Sequence, residues 1–497
     1  MNKLLIIILG ILPLDIYAQP SEEITLQEVM NLAQKRSLEA IEAKNKLHIA
    51  SWQFKNYKAN LCPQIVLEGS LPNLNKSYTK YQNDDGTYKF VTTSILSENL
   101  TFSINQQIPF SGGSVSLQSN LERMDQIGDS NSKKYFTIPV SIVLSQPLFA
   151  YNSFKWDRRI EPLKLLEAQK QYQVDIEAIY IKAINYYFDL LLAQINENIA
   201  QQTLENAKKL FEIAEGKKNR GLIDENEYQQ LRLNYINASA SIIEVHQNYE
   251  RKIFQLCSFL CIKNNIRLIP IIPKNLPKLN ISFEEVLRVV KNNNPFMENV
   301  KRRRIEVDKS IAQVRAERRP KIDAYFSLGY SGTNSSFAEA YQDLQNRQVV
   351  SVGVKVPILD WGKSKGKIEI AKYQKELEEG KIRSDISNFE QEVKILVNKI
   401  LNQKKLIDIY KLADTIAQNR YKIAYETFIM GKISVLDINS AQIEKDNAKR
   451  NYLNQVYNFW LLYYQLRQLS LYDFIEKKSL IEIKTEHYGQ SYTTKSN

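Results

Sequence analysis

The chain has 497 residues, of which 43% are hydrophobic and 25% are charged, a composition typical of a folded protein. The formal net charge is +12, but basic residues are interspersed with acids, so the charge indicates solvated helix faces and no nucleic-acid partner. Three cysteines are too few for a disulfide framework, and we expect buried free thiols. The three histidines lie far apart without metal spacing, and we predict no enzyme, no metal and no cofactor.

The N-terminus has the pattern of a signal peptide. Lys3 precedes an apolar run from Leu4 to Leu14, and Ala18 offers a small residue before a cleavage point, so we predict a signal peptide at 1–18. A short membrane anchor is the alternative, although the run is too short to span a bilayer comfortably. No later stretch is apolar enough for a transmembrane helix.

The mature chain repeats one pattern twice. The segments 24–29 and 281–286 each place Thr or Ser three residues before Glu, which predicts a capping box at the start of a helix. Pro63 and Pro320 each end the helical pattern that follows. Further along, Pro147 matches Pro357, and the two halves continue in the same order. We therefore predict a first repeat at 19–270, a second repeat at 271–474 and a polar tail at 475–497.

Each half contains segments in which apolar and polar residues alternate. The clearest apolar series is Phe136, Ile138, Val140, Ile142 and Leu144. This period of two predicts strands whose faces meet two different environments. In a membrane barrel these are lipid and water, whereas a soluble sheet over a core is the alternative.

The first half carries additional alternating segments at 100–108 and 115–121, around Ser111, Gly112 and Gly113. They predict an additional hairpin, which would either extend the strands outward or form an extracellular flap. The polar segment 76–86 before it has the composition of an external loop.

Long helical segments follow the strands in each half. The ranges 172–218 and 363–430 contain no proline and would form rods of roughly 70–100 Å at 1.5 Å per residue. Their apolar residues have coiled-coil spacing. Gly221 and Gly431 predict the points at which each rod turns back. We expect two long antiparallel helical hairpins.

In this order of elements the chain resembles the TolC-type outer-membrane efflux family, over about 24–474. The segments that carry the resemblance are Gln146–Phe149, Val356–Asp360, Gly221–Ile223 and Gly431–Ile433. The resemblance implies a mainly α fold with a transmembrane β-barrel portion. In a homotrimer, each chain would contribute four strands to a shared twelve-stranded barrel, and the helical hairpins would form a periplasmic tube.

The same resemblance implies a passive exit duct of a tripartite efflux or type I secretion system in the outer membrane. Its helical tips would dock onto a periplasmic adaptor, which connects the duct to an inner-membrane pump of the RND, ABC or MFS class. Outer-membrane lipid would surround the barrel. The alternatives are a secreted structural coiled-coil protein and a periplasmic adaptor subunit without a pore.

The resemblance also places candidate functional residues. The acidic ring position, six residues after the turn glycine, is Asp437 in the second repeat and Glu227 in the first, and a solvated helix face is the alternative for both. A second acid that is frequent in the family is replaced by Ser440. The helical-tip positions expected to contact the adaptor are Gly221, Leu222, Gly431 and Lys432, of which Lys432 would alternatively pair with an acid.

Two tryptophans follow the last strand of each half. Trp156 and Trp361 both have basic residues nearby. Aromatic and basic residues at a barrel rim are typical of the membrane interface, and packing at the junction between strands and helices is the alternative.

Overall fold

The computed structural model of the chain describes residues 21–127, 131–221, 223–262, 267–273, 276–277, 279–430 and 432–481. The predicted signal peptide, most of the predicted tail, Leu222 and Gly431 lie outside the described residues. The chain divides into two compact units. We call them the helical unit, Met1–Lys46, Lys170–Asn294 and Phe389–Asn497, and the sheet unit, Leu47–Gln169 and Pro295–Asn388.

The elements follow the predicted order twice. In chain order they are β1 (Ser21–Ile24), α1 (Leu26–Arg36), α2 (Leu38–Ala59), β2 (Gln64–Gln82), β3 (Tyr88–Ile108), β4 (Gly113–Ile127), β5 (Ser132–Leu148), α3 (Ser153–Lys218), α4 (Glu225–Phe259), β6 (Arg267–Pro270), α5 (Phe283–Asn293), α6 (Pro295–Glu317), β7 (Lys321–Asn334), β8 (Gln345–Lys355), α7 (Lys363–Ile429), α8 (Val435–Ser470), β9 (Tyr472–Asp473) and β10 (Lys478–Ser479). The repeat boundaries remain a prediction, because both compact units draw on both halves of the chain.

The predicted helix starts have the predicted caps. The Thr25 backbone N–H donates to Glu28 Oε2 at 2.8 Å, and the Glu28 N–H donates to Thr25 Oγ1 at 3.3 Å, which completes a capping box. At the start of α5, the Glu285 N–H donates to Ser282 Oγ at 3.3 Å. These bonds satisfy N–H groups that the first turn of a helix leaves without partners.

The strands of the sheet unit form one antiparallel sheet in the order β2-β3-β4-β5-β7-β8. The additional hairpin predicted from the sequence is β3–β4, and it lies inside the sheet between β2 and β5. Both expectations for the hairpin, an extracellular flap and an outward extension of the strands, are therefore wrong, because it adds two strands to the sheet. The expected count of four strands per chain needs correction to six, because both strands of the hairpin are hydrogen-bonded into the ladder.

The helical unit has an apolar core made by α1, α3, α4 and α8, with residues of β1 and β6. We call it the core cluster. Its buried residues are Ile24, Leu26, Val29, Met30, Ala33, Ala40, Ile176, Ile179, Ala183, Ile184, Tyr187, Phe188, Leu190, Leu191, Ala193, Tyr249, Ile253, Leu256, Cys257, Leu260, Leu268, Val456, Tyr463 and Tyr464. Tyr187 lies at its centre, and its hydroxyl donates to the Ile271 carbonyl.

All three cysteines are free, but only Cys257 is buried. The expectation of buried thiols is wrong for Cys62 and Cys261. Cys261 lies beyond the end of α4 with a positive φ of 52°, so it does not share a helix face with Cys257.

Among the residues that the structure describes, no helix combines the length and the apolar character needed to cross a membrane.

Candidate functional site: the helical tips and the sheet face

The first helical tip joins α3 to α4. Gly221 has a φ of +70°, in the left-handed region that glycine adopts without strain. Its N–H donates to the Lys218 carbonyl at 2.9 Å, which closes the end of α3. Asp224 caps α4, since its Oδ2 accepts from the Asn226 N–H at 3.3 Å. The predicted turn at Gly221 thus has the expected conformation.

The second tip joins α7 to α8, and Asp437 belongs to its helix cap. The Asp437 N–H donates to Ser434 Oγ at 3.2 Å, while Asp437 Oδ2 accepts from the Ser434 N–H at 3.1 Å and from its hydroxyl at 2.7 Å. These bonds to Ser434 lower the pKa of the exposed Asp437 carboxyl, and the charge of Arg420 adds to the effect. Asp437 is therefore ionised at neutral pH.

Glu227 and Asp437 occupy the same position, the third residue of the helix that follows each tip. A negative charge in the first helical turn is also favoured by the helix dipole. The capping role of Asp437 was not predicted. The spacing of Ser434 and Asp437 is the same capping-box pattern found at Thr25, so the signal was present.

The two tips pack against each other through a small apolar cluster. We call it the tip cluster, and its buried residues are Leu210, Ala214, Leu231, Phe428, Val435 and Ile438. Polar bonds continue the contact along the helices: Asn206 Nδ2 donates to the Tyr421 hydroxyl at 2.9 Å, and Gln442 Nε2 donates to Thr203 Oγ1 at 2.8 Å. The tips of both repeats therefore form one packed end of the helical unit.

A groove of about 540 Å³ runs beside Asp437 between α7 and α8. It is lined by Ile416, Asn419, Arg420, Ile423, Ala424, Thr427, Ile433, Asp437 and Ala441. Ile416 and Ile423 are exposed, and Arg420 forms an ion pair with Glu444. Lys432, close to the groove, is exposed, and its N–H donates to the Thr427 carbonyl at 3.1 Å.

The tryptophans occupy different surroundings. Trp156 lies half-buried near the start of α3, and the Arg159 guanidinium lies 5.8 Å from its ring centroid. Trp361 is 90% exposed and has a positive φ of 52° just before α7. Beside it, the Asp360 carboxylate accepts from the Ser364 N–H at 3.0 Å and so caps the helix start.

One face of the sheet is apolar and exposed. A row of side chains in direct register crosses five strands, formed by Ile65, Ile104, Leu117, Ile142 and Leu328. Ile142 and Leu328 are each 56% exposed. Since large apolar patches on a chain mark surfaces that meet lipid or another protein, this face is a second functional surface.

The other face of the sheet carries polar side chains. Asn120 Nδ2 donates to Asn99 Oδ1 at 3.0 Å and to Thr101 Oγ1 at 2.8 Å, which connects β4 to β3. The alternation separates two faces of the sheet along β3 and β4. In β5 a register shift between Thr137 and Val140 interrupts the predicted series, so that Ile142 pairs with Leu117 of the apolar row whereas Ile138 pairs with Asn120 of the polar row.

A buried ion network, which no local sequence pattern predicts, lies in the helical unit. Arg467 donates from Nη2 to Glu177 Oε1 at 2.9 Å and from Nη1 to Asp473 Oδ2 at 3.1 Å. Tyr463 donates its hydroxyl proton to Asp473 at 2.7 Å. Burial raises the pKa of Glu177 to about 7, although the charge and the hydrogen bond of Arg467 oppose this. Glu177 Oε2 has no hydrogen-bond partner among the described residues.

Within the described part of the chain, no group of three or more His, Cys, Asp or Glu side chains could hold a metal ion. Asp224 and Asp437 at the tips cap helices, and Arg467 of the buried network forms ion pairs with Glu177 and Asp473.

Several solved structures of outer-membrane proteins are similar to this chain. The CmeC channel of Campylobacter jejuni is 16% identical, with a TM-score of 0.64 over 90% of this chain and 85% of that one. VceC of Vibrio cholerae is 12% identical, with a TM-score of 0.63 over 90% and 95%. MtrE of Neisseria gonorrhoeae, in its open state, is 13% identical, with a TM-score of 0.54 over 90% and 88%. These likenesses confirm the fold class.

A comparison with protein families gives a sequence-level match. The family described as "Outer membrane efflux protein" matches residues 107–260 and 286–470, which together make up more than half of the chain. No curated protein sequence matches this chain. Both matched segments contain strands and a complete helical hairpin of one repeat. The chain therefore belongs to the outer membrane efflux protein family.

Proposed function

We propose that three copies of this chain form the passive exit duct of a tripartite efflux or type I secretion system. The duct spans the outer membrane with a shared β-barrel and reaches into the periplasm with its helical hairpins. The observation that carries this proposal is the family match, which includes a long segment of each repeat. The exposed apolar face of the sheet supports it, because a barrel in lipid needs an apolar outer face.

The polar face of the sheet would then line the lumen of the barrel. Asn99, Thr101 and Asn120 on β3 and β4 give this face hydrogen-bonding groups suited to water. A secreted coiled-coil protein without a pore would have no use for a sheet with one apolar and one polar face.

The helical tips form the constriction of the duct. Three copies place three Asp437 and three Glu227 carboxylates around one axis, at equivalent positions of the two hairpins. Rings of like charge in a narrow lumen repel anions and attract cations. The capping bonds of Asp437 keep its carboxylate ionised, which supports the role of a charged ring.

The tips also form the docking surface for a periplasmic adaptor, which connects the duct to an inner-membrane pump. The groove beside Asp437 offers exposed apolar side chains, Ile416 and Ile423, next to charged ones. Lys432 and the turn at Gly221 lie exposed at the tips themselves. At the sheet, Trp156 and Trp361 mark the membrane interface.

Single-channel conductance in planar bilayers tests the constriction. We compare the wild type with the double variant Asp437→Asn/Glu227→Gln, which removes both charges while keeping the size of the side chains. We expect a small cation-preferring conductance in the wild type and a weaker cation preference in the variant. The matched control Glu212→Ala/Glu426→Ala removes two exposed acids of α3 and α7 and should leave the preference unchanged.

The outcomes separate the two parts of the proposal. Equal selectivity in the wild type and the charge variant would remove the acidic rings and keep the duct. Absence of any conductance from inserted protein, in the wild type and in the variant, would contradict the duct itself.

A further inference from the structure

In the described part of the second repeat, the hairpin β3–β4 has no equivalent, and only β7 and β8 join the sheet. Its two strands are paired on both sides. The ladder between β2 and β3 runs from the pair Gln64–Asn105 to the pair Gln82–Tyr88, and β4 pairs with β5 along most of its length. Expelling the hairpin would break both ladders, whereas direct pairing of β2 with β5 would restore only one.

The hairpin also continues the apolar face without a gap. Ile104 of β3 and Leu117 of β4 lie in direct register with each other and with Ile65 on one side and Ile142 on the other. Leu117 is 41% exposed on this face. A flap in water would expose these side chains to solvent, so their register indicates that β3 and β4 face the same apolar medium as their neighbours.

The turn between β3 and β4 is held by hydrogen bonds from neighbouring segments. Asn152, just before α3, donates from Nδ2 to the carbonyls of Pro109 and Phe110 at 2.9 and 3.0 Å, and Gln146 of β5 donates to the Ser111 carbonyl at 3.2 Å. On the other side, Gln106 Nε2 donates to the Leu61 carbonyl at 3.0 Å, at the end of α2.

The packing at this turn is close. A Cβ atom at Gly113 would lie 2.8 Å from the Ser145 carbonyl oxygen, so only glycine fits there without a shift of the backbone. These contacts therefore fix the turn of the hairpin next to the ends of β2 and β5.

The sheet ends in two open edges. Among the described residues, β2 is paired only with β3, and β8 is paired only with β7. Open edges of exposed sheets recruit further strands, and a barrel removes them by closure. Both edge strands carry exposed apolar residues, such as Ile65 and Val350, so an added strand would continue the same face.

We propose that β2 of one copy pairs with β8 of the next, and that the hairpin β3–β4 remains in the wall, so that three copies close a barrel of eighteen strands. This rests on the proposed trimeric duct and changes its size. Barrel diameter grows roughly linearly with strand number, so the lumen in the membrane is about 1.5 times as wide as that of the expected twelve-stranded barrel. Eighteen strands is the size at which porins leave a water-filled channel.

Cryo-electron microscopy of the purified wild-type protein in lipid nanodiscs tests the strand count directly. We expect a threefold particle with eighteen strands in cross-section and β3 and β4 between β2 and β5. A threefold particle with twelve strands would overturn the inference and leave the duct standing. A particle without threefold symmetry or without a barrel would contradict the proposed function itself.

Disulfide trapping in the membrane-inserted protein tests whether the hairpin β3–β4 lies between β2 and β5. Glu68 and Thr101 are direct partners on β2 and β3. In a background without the three native cysteines, the pair Glu68→Cys/Thr101→Cys should oxidise within one chain of the inserted trimer. The matched pair Glu68→Cys/Ile138→Cys joins β2 to β5 at the same level of the ladder, because Thr101 pairs with Asn120 and Asn120 pairs with Ile138. Only expulsion of the hairpin would bring these two positions together. Bridging of this second pair, with none in the first, would overturn the inference.

Discussion

The two apolar clusters of the helical unit differ greatly in size. Among the residues that the structure describes, the core cluster contains 24 buried residues, whereas the tip cluster contains six. Because apolar stabilisation scales with the area removed from water, the tips are held by much less free energy than the core. Segments with few buried contacts open locally at lower cost than the rest of a protein. The helical tips can therefore move while the core of the same helices stays folded.

The largest expected effect comes from the buried network beside the core cluster. Arg467→Met leaves the Asp473 carboxylate and the Glu177 carboxyl group buried without the guanidinium that binds both, which should cost about 3–5 kcal/mol of unfolding free energy. Denaturant unfolding followed by circular dichroism measures it. Lys182→Met is the control, because its pair with Glu39 is exposed (53% and 38%) and should contribute less than about 1 kcal/mol. Similar losses of unfolding free energy in both variants would show that the buried ion pairs contribute no more to stability than the exposed one.

A matched pair of truncations compares the two clusters directly. Leu256→Ala in the core cluster should lower the free energy of global unfolding by about 2–5 kcal/mol. Leu210→Ala removes the same atoms from the tip cluster. For Leu210→Ala we expect faster amide hydrogen exchange at the tips and a higher conductance. The free energy of global unfolding should change less than in Leu256→Ala. If both variants lower the free energy of global unfolding by the same amount, the tips do not open independently of the core.

The pH dependence of stability should show the raised pKa of Glu177. The folded chain keeps a proton on this carboxyl up to about pH 7, whereas the unfolded chain releases it near its ordinary value of 4.5. Stability therefore falls as the pH rises through this window.

The variant Glu177→Gln does not titrate, so its stability relative to the wild type should increase from pH 5 to pH 8, by at most about 3 kcal/mol. Glu244→Gln, at an exposed site of α4, serves as the control and should show a difference that is independent of pH. A constant difference for Glu177→Gln as well would show that Arg467 keeps this carboxylate ionised throughout.

The smallest effect concerns the cap at the second tip. Ser434→Ala removes the acceptor of the Asp437 N–H and should destabilise the start of α8 by about 1 kcal/mol. Hydrogen exchange of the first turn of α8 measures this local change. Ser440→Ala, in the same helix, removes only a side-chain bond to Glu444 and should leave the exchange rates of that turn unaltered. Faster exchange in both variants would argue against a specific role of the cap.

Local patterns in the sequence predicted much of this fold, and the structure explains why. Caps, turn glycines and strand alternation are set by neighbours a few residues apart, so Thr25, Gly221 and the hairpin β3–β4 were predictable. The family and the fold class, which depend on the order of these elements, are confirmed.

Features that depend on long-range contacts were not predictable in this way. Alternation identifies a strand but not its neighbours, which is why the hairpin was expected as a flap or an extension. Glu177 and Arg467 lie far apart in the chain, and neither has a local pattern that indicates its partner. The roles of Asp437, Glu227, Trp156 and Trp361 depend on the assembled trimer and remain predictions.

The hairpin β3–β4 is joined to no helix. The chain passes from α2 into β2, from β5 into α3, from α6 into β7 and from β8 into α7, so every helix that adjoins the sheet is connected to one of the other four strands. A hairpin inserted in this way would let the width of the proposed barrel change in evolution while the helices and their tips stay the same. For nanopore engineering, it marks a place where the aperture can be enlarged or reduced in steps of two strands per chain.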